Sequence, residues 1–383
     1  MTKKVIEASE AVAIAAKLCK VDVVPVYPIT PQTHIPEEIA SMVYDGEFDV
    51  KLIDVESEHS ALSAAIGASA AGSRVFTATA SQGLALMHEV LFITSGMRLP
   101  VVMAVANRAL SAPINIWNDQ QDSIAERDSG WIQLYVESGQ EALDTVIMAY
   151  KIAENKKVLL PVMVCLDGFT LTHVFEPIDI PDQKLVDKFL PKFTPLFKLD
   201  PNKPITMGPI GFPEHYVYFK KQQQDAIKGS ENIIKEVHDE FRKLTKRGYG
   251  NGLIEEFHTK DAEYIVVALG TACSTARVAV EELRKKGKKV GLLKIKSLRP
   301  FPEQDILNSL KNAKAVAVLD RNISLGNDGA VYTDLKAALY NKSKALLHNF
   351  ILGLGGRDIT LDHIKGIFDK IEKSNKEIKE WII

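Results

Sequence analysis

RVFTATASQGLALMHEVLFITSGMRLPVVMAVAN, residues 74–107, decides the fold. Its two outer runs, RVFTATA and LPVVMAVAN, are apolar or small without polar alternation, the pattern of strands buried on both faces. Between them LALMHEVLFITSG carries apolar residues at helical spacing. Strand, helix and strand in about 30 residues make a βαβ unit, whose two strands lie parallel because the helix carries the chain back across the sheet.

The same alternation extends both ways. Upstream, residues 6–20 and the region around 35–44 show helical spacing, VVPVYP (23–28) and VKLIDVE (50–56) read as strands, and an alanine-rich helix covers about 58–71. Downstream come the strand WIQLYV, the helix EALDTVIMAYKIAEN and the strand VLLPVMVCLDG. From 263 the pattern resumes with YIVVALG, a helix STARVAVEELRKK capped by Ser274, and the strands KVGLLKI, AVAVLD and NFILGLGG with helices between and after them. The expected class is α/β, two doubly wound parallel-sheet domains. Residues 176–255 differ. Prolines cluster between Pro177 and Pro213, a polar helical stretch KKQQQDAIKGSENIIKEVHDEFRKLTKR follows, and Gly248, Gly250 and Gly252 mark a linker. The expected division is 1–255, with a proline- and lysine-rich arm at about 176–255, and 256–383.

Composition narrows the function. With 47 Lys+Arg against 49 Asp+Glu the chain has no global electrostatic footprint for nucleic acid. No segment reaches the length of a membrane span, and Glu7, Glu10, Lys17 and Lys20 interrupt the N-terminal apolar positions, so neither a membrane anchor nor a signal peptide is expected and the default compartment is cytoplasmic. Cys19, Cys165 and Cys273 lie too far apart for a disulfide framework or a CxxC metal site. There is no P-loop, HExxH or GxSxG. Gly353-Leu354-Gly355-Gly356 has Asp358 where a dinucleotide fingerprint needs its last glycine, so it reads as a strand-to-helix turn.

Ligands of open parallel sheets bind outside the carboxyl ends of the strands. There this sequence places Thr30-Pro31-Gln32-Thr33, Glu56-Ser57-Glu58-His59, Ser81-Gln82-Gly83 and Asn107-Arg108. Each has an ordinary structural alternative. Thr30-Pro31 has the form of a helix start, Glu58 that of a first-turn acid facing the helix dipole, and Arg108 that of a surface ion-pair residue. His34, His59 and His88 have no second ligand at metal spacing. The polar loop from Asn115 to Asp122 contains Trp117, which argues for docking against disorder.

The strings YPITP (27–31), ESEHSA (56–61), TASQGL (79–84), NRAL (107–110) and NIWNDQQDS (115–123), five in order, resemble the α subunits of pyruvate:ferredoxin oxidoreductases and, more broadly, the 2-oxoacid:ferredoxin oxidoreductases. The resemblance covers almost the whole chain, through TACSTARVAVEELRKKGKKVGLLKIKSLRPFP and LDRNISLGNDGA. It implies a pyrimidine-binding domain for thiamine diphosphate, followed by a domain like the C-terminal domain of transketolase that serves mainly in subunit packing. Glu58 takes the place of the cofactor-activating glutamate. Such a carboxylate hydrogen-bonds a ring nitrogen of the aminopyrimidine and stabilises the imino tautomer, whose exocyclic nitrogen takes the proton from the thiazolium carbon.

Thr30 and Arg108 match substrate-carboxylate contacts, a role that suits the two-pronged guanidinium. Ile114 and Ile116 fall beside the substrate's methyl group, and Ser81, Gln82 and Gly83 beside the pyrimidine. Pro31 after Thr30 supplies no extra cation for a dicarboxylate, which favours pyruvate; branched-chain, aryl or 2-oxoglutarate oxidoreductases and a non-catalytic scaffold subunit are the alternatives. The implied reaction is coenzyme A-dependent oxidative decarboxylation of pyruvate to acetyl-CoA and carbon dioxide with ferredoxin as acceptor, reversible as pyruvate synthesis. The chain has neither a GDG followed by paired asparagines nor a ferredoxin-like cysteine run. Partner subunits of beta, gamma and delta type would therefore bring Mg2+, the diphosphate grip and the 4Fe-4S clusters, with the active site and a large, partly apolar interface at a subunit boundary.

Overall fold

The computed structural model describes Thr2–Ile383. The first half runs β1 (Thr2–Glu7), α1 (Ala8–Leu18), β2 (Val23–Val26), α2 (His34–Tyr44), β3 (Lys51–Asp54), α3 (Glu58–Ala70) and β4 (Phe76–Thr79). It continues through α4 (Ser81–Leu86), α5 (His88–Gly96), β5 (Val102–Asn107), α6 (Gln121–Ala125), β6 (Ile132–Tyr135), α7 (Gly139–Ala153) and β7 (Val162–Asp167). Next come β8 (Phe175–Ile180), α8 (Gln183–Phe189) and the long α9 (Pro213–Thr245). The second half holds β9 (Ile254–Phe257), β10 (Tyr264–Ala268), α10 (Ala272–Lys285), β11 (Val290–Ile295), β12 (Ser297–Arg299) and α11 (Glu303–Leu310). It closes with β13 (Ala315–Asp320), α12 (Ala330–Leu339), β14 (Leu346–Ile351), α13 (Leu361–Lys373) and β15 (Lys379–Trp381).

In the first sheet β6, β7, β5 and β4 are parallel neighbours in that order, and the parallel pair β2–β3 joins the β4 side through a bridge between Val23 and Val75. Every residue of β5 and β7 is buried, as their uninterrupted apolar runs require of central strands. Helix α7 is buried nearly all round because α1 and α9 both pack on it. The second sheet orders β15-β14-β13-β10-β11-β9, parallel except for β9. The α/β class with parallel sheets is thus as read from the sequence.

Several local expectations are corrected. A β1–β8 antiparallel ribbon was not expected, since TKKVIE is largely polar and Pro177 lies in β8; a two-stranded ribbon tolerates both because its outer edges need no partners. LALMHEVLFITSG is two abutting helices meeting at Met87. The polar helix starts at Pro213, with proline in its first turn, not near Lys220. Ser274 does not cap α10, which begins at Ala272; its hydroxyl donates instead to Glu137 Oε1 at 2.9 Å. Strand β9 begins at Ile254 and already pairs with β11.

The halves are stitched together below the sheet rims. β12 leaves the second half and pairs antiparallel with β6. Beside it, Lys294 and Lys296 of the β11 strand and its end are buried and donate to Glu141 Oε2 and Oε1 on α7, both at 2.6 Å. Lys296 also donates to Thr145 Oγ1 at 2.9 Å, and Lys294 lies 2.9 Å from Glu137. Burial alone would raise the Glu141 carboxyl, but the two ammonium groups override it and hold it at about 2.

Glu141→Gln leaves two buried ammonium groups without their shared anion, and removing one partner of a buried ion pair costs about 3–5 kcal/mol. Chemical denaturation should show that loss. Because the folded carboxyl lies below its ordinary 4.5, its contribution is full above that pH and is lost as pH falls from there through about 2. The difference between wild type and Glu141→Gln should shrink across that window.

Candidate active site

The carboxyl ends of β2 to β5 meet in one rim. β4 ends at Thr79, and α4 opens at Ser81, which holds φ +47°, in the left-handed region. What holds that turn is Asp122 on α6. Its Oδ2 accepts from Ser81 N at 2.9 Å and from Arg108 N at 3.0 Å, while Oδ1 accepts from Asn107 Nδ2 and Ser123 N, both at 2.7 Å. Asp122 is buried with no ion-pair partner among the described residues, and burial pushes its carboxyl up to about 7 against the four donors that lower it. The Ser81 hydroxyl donates to Ala109 O at 2.5 Å, closing the turn onto the segment after β5.

Arg108 follows β5 and is 7% exposed. Among the described residues it makes no surface ion pair. Its Nη1 donates to Thr30 O at 3.0 Å and its Nε to Asn115 O at 2.9 Å, so one guanidinium joins the loop after β2 to the loop after β5. Burial pulls it below its ordinary value, with Asp122 opposing. Nη2 is left uncommitted among the described residues, available to an anion. Thr30 is exposed and does not start a helix; α2 begins four residues later at His34.

Glu58 opens α3 behind Ser57, whose hydroxyl caps the Ser60 amide. Although only 7% exposed, its carboxylate has no hydrogen-bond or ion-pair partner among the described residues. Against it lies Gly83: a Cβ there would stand 2.6 Å from Glu58 Oε1 and 2.5 Å from Thr79 Oγ1. The Thr79 hydroxyl is itself buried without a partner among the described residues. A buried carboxylate and hydroxyl with open hydrogen-bonding capacity beside a glycine-walled gap fit a group that brings its own ring nitrogens.

The structure therefore joins the sequence-derived residues in two clusters. Glu58 touches Gly83, and the Gln82 side-chain amide lies 2.6 Å from the Ser81 hydroxyl. Thr30 and Arg108 are bonded, and Ile114 and Ile116 flank Asn115, whose carbonyl holds Arg108. These isoleucines are 79% and 36% exposed. Asp122 links the clusters. Sequence reasoning missed it because its partners lie 41 and 14 residues away, and only the folded rim brings them together. The loop from Asn115 is docked, not disordered. His34 pairs with Glu7 at 2.8 Å and His88 with Glu126 at 2.7 Å.

Asp122→Asn must turn an amide NH2 against two N–H donors whichever way it is set. The stranded groups should lower stability by about 1–3 kcal/mol. The Ser81 and Arg108 amides should exchange with solvent faster than in wild type, measured by hydrogen–deuterium exchange.

Residues 14–239, more than half of the chain, match a family model described as "pyruvate flavodoxin/ferredoxin oxidoreductase, thiamine diP-bdg", and residues 262–364 match "pyruvate:ferredoxin oxidoreductase core domain II". "Pyruvate synthase subunit PorA" of Methanocaldococcus jannaschii is 56% identical over 381 residues, 99% of this chain and 97% of that one. "Ketoisovalerate oxidoreductase subunit VorA" of Pyrococcus abyssi is 45% identical over 97% of this chain and 94% of its own. Among solved structures, a 2-oxoglutarate:ferredoxin oxidoreductase from Magnetococcus marinus shares the fold with a TM-score of 0.73 at 20% identity, over 96% of this chain; this chain spans 65% of the length of that one. A split-gene transketolase shares it with a TM-score of 0.54 at 12% identity, over 96% and 98% of the two chains. The chain belongs to the pyruvate:ferredoxin oxidoreductase family, as one subunit of a multi-subunit enzyme.

Proposed function

We propose that this chain is the pyrimidine-activating and substrate-selecting subunit of a pyruvate:ferredoxin oxidoreductase, oxidising pyruvate to acetyl-CoA and carbon dioxide and running in reverse as pyruvate synthase. One observation carries the assignment: Glu58 is a buried, unpartnered carboxylate walled by Gly83, within the segment matched to thiamine diphosphate binding. Bound thiamine diphosphate supplies a carbon nucleophile for the ketone of a 2-oxoacid and a sink for the electrons left by decarboxylation. Glu58 holds a proton at a ring nitrogen of the aminopyrimidine, and Gly83 gives that ring its approach. Gln82 and the Ser81 turn line the same side. Arg108, through its free Nη2, and Thr30 bind the substrate carboxylate. Ile114 and Ile116 bound the space for its side chain once a partner covers the loop.

In this reading residues 1–255 hold the pyrimidine end and 256–383 pack against them and against neighbours. Partner subunits of beta, gamma and delta type carry Mg2+, the diphosphate grip and the 4Fe-4S clusters that pass electrons to ferredoxin. Cys19, Cys165 and Cys273 are each buried and free. We place the complex in the cytoplasm, where coenzyme A and ferredoxin are available to it.

A second substrate reading has a specific basis. Ile114 and Ile116 are exposed on this chain, so they set no tight limit on side-chain size, and the Pyrococcus abyssi relative is named for ketoisovalerate. One methylene in an apolar pocket is worth only about 1–3 kcal/mol. The higher identity to proteins named pyruvate synthase favours pyruvate.

In the purified complex, Glu58→Gln should lower 2-oxoacid-dependent reduction of a one-electron acceptor by about 10²–10⁴-fold with assembly intact. Retention of most activity would leave the chain a scaffold. Arg108→Gln should raise the KM for pyruvate and leave the KM for coenzyme A unchanged, and turnover of pyruvate against 2-oxoisovalerate decides between the two substrates.

A further inference from the structure

We propose that the glycine turn at the end of β14, Gly353–Gly356, is a clamp that sets the position of the loop bearing Ile114 and Ile116, so that the second half of the chain takes part in choosing the 2-oxoacid. The inference rests on Arg108, Ile114 and Ile116 as substrate contacts and adds a positioning role for a turn far from them in sequence.

The loop leaves β5 at Asn107 and has no regular structure until α6 begins at Gln121. Within itself it is held by Ala109 N donating to Trp117 O at 3.0 Å and by Trp117 N donating to Asn115 Oδ1 at 2.7 Å. The first half adds Ser81 Oγ to Ala109 O at 2.5 Å, Asn118 Nδ2 to Thr170 Oγ1 at 3.2 Å and Gln120 Nε2 to Asp167 Oδ1 at 3.3 Å. The fixings at Asn115, Asp119 and the Asn118 carbonyl come from the other half. Asn115 Nδ2 donates to Gly355 O at 3.1 Å, Gly355 N donates to Asp119 Oδ2 at 3.0 Å, and Gly356 N donates to Asn118 O at 2.7 Å. Both polar backbone groups of Gly355 are thus spent on the loop. Behind them, Gln120 N donates to Arg321 O at 2.9 Å, and Arg321 is locked by a buried ion pair to Asp167 at 2.9 Å.

Glycine is required for the fit. Gly355 and Gly356 hold φ +58° and +84°. A Cβ on Gly355 would stand 2.5 Å from Asn115 Nδ2, and one on Gly356 would stand 2.2 Å from Trp117 Cβ. Both conformations disfavour a side chain; at Gly356 one would drive against Trp117 Cβ, and at Gly355 one would displace the Asn115 amide that bonds its carbonyl.

Asn115 is where the clamp meets the chemistry. Its amide is tied to Gly355, 240 residues away, while its carbonyl accepts from Arg108 Nε. Any displacement at Gly355 therefore moves an acceptor that orients the guanidinium and shifts the isoleucines on either side. A misplacement of about 1 Å at a substrate-positioning group can cost on the order of a hundredfold in rate.

Gly355→Ala, Asn115→Ala and the double variant, each in the assembled complex, test the clamp. Steady-state kinetics with pyruvate, 2-oxoisovalerate and coenzyme A would be compared with wild type. Each single variant should raise the KM for pyruvate by about tenfold or more, change kcat less, leave the KM for coenzyme A alone, and alter the pyruvate-to-2-oxoisovalerate preference. Asn115→Ala removes the amide that the new methyl strikes, so adding Gly355→Ala to it should change the KM by less than about twofold. Unchanged KM and preference in both single variants, or effects that simply multiply in the double, would overturn the clamp. So would failure of both single variants to assemble, which would make the contact a folding element. Arg108→Gln measured alongside separates the two levels: an effect there with none at Asn115 or Gly355 removes only the clamp, and no effect at Arg108 removes the substrate assignment itself.

Discussion

The rim of the first sheet depends on one anion buried among neutral donors. Asp122 has no cation bonded to it among the described residues, yet its two oxygens accept from four N–H groups carried by α4, β5 with the residue after it, and α6. A carboxylate suits such a position because it alone among side chains of its size is all acceptor. The geometry that results is fixed along the rim. Ser81 stays in a left-handed turn, Gly83 is presented to Glu58, and the backbone of Arg108 is held so that its guanidinium reaches Thr30 and Asn115. Glu58 stands at the opposite extreme, buried and without a partner among the described residues.

The two halves meet through charge as well as through β12. Burying Lys294, Lys296 and Glu141, or Asp167 and Arg321, gives up hydration that the pairing recovers only when the geometry is close. Such contacts add little net stability over an apolar equivalent, but a shifted register would strand a charge, so they select one arrangement of the halves. That selection reaches the loop between β5 and α6, which shares its fixings between first-half groups such as Ser81, Thr170 and Asp167 and second-half groups at Gly355, Gly356 and Arg321.

Much of this was legible in the residues. Uninterrupted apolar runs such as VMAVAN and VMVCLD announce buried parallel strands, and helical spacing between them leaves few other topologies. The rule that ligands gather at carboxyl strand ends then picks out Thr30, Glu58, Ser81 and Arg108 from the sequence alone. The polar β1–β8 ribbon, the late start assigned to α9 and the cap assigned to Ser274 went unread, because polar ribbons and caps borrowed by distant partners leave no periodic signal.

The sequence by itself determined the α/β class, the order of its elements and the identity of the rim residues, since these follow from local periodicity and from where each strand stops. Tertiary structure alone decided that Asp122 joins them, that Arg108 is held by backbone carbonyls instead of an ion pair, and that a turn near residue 355 closes on a loop near residue 115. The reason is physical. Periodicity records which face of an element meets the core, whereas a hydrogen bond between groups 240 residues apart exists only after both cores have formed and brought their edges within 3 Å or so of each other.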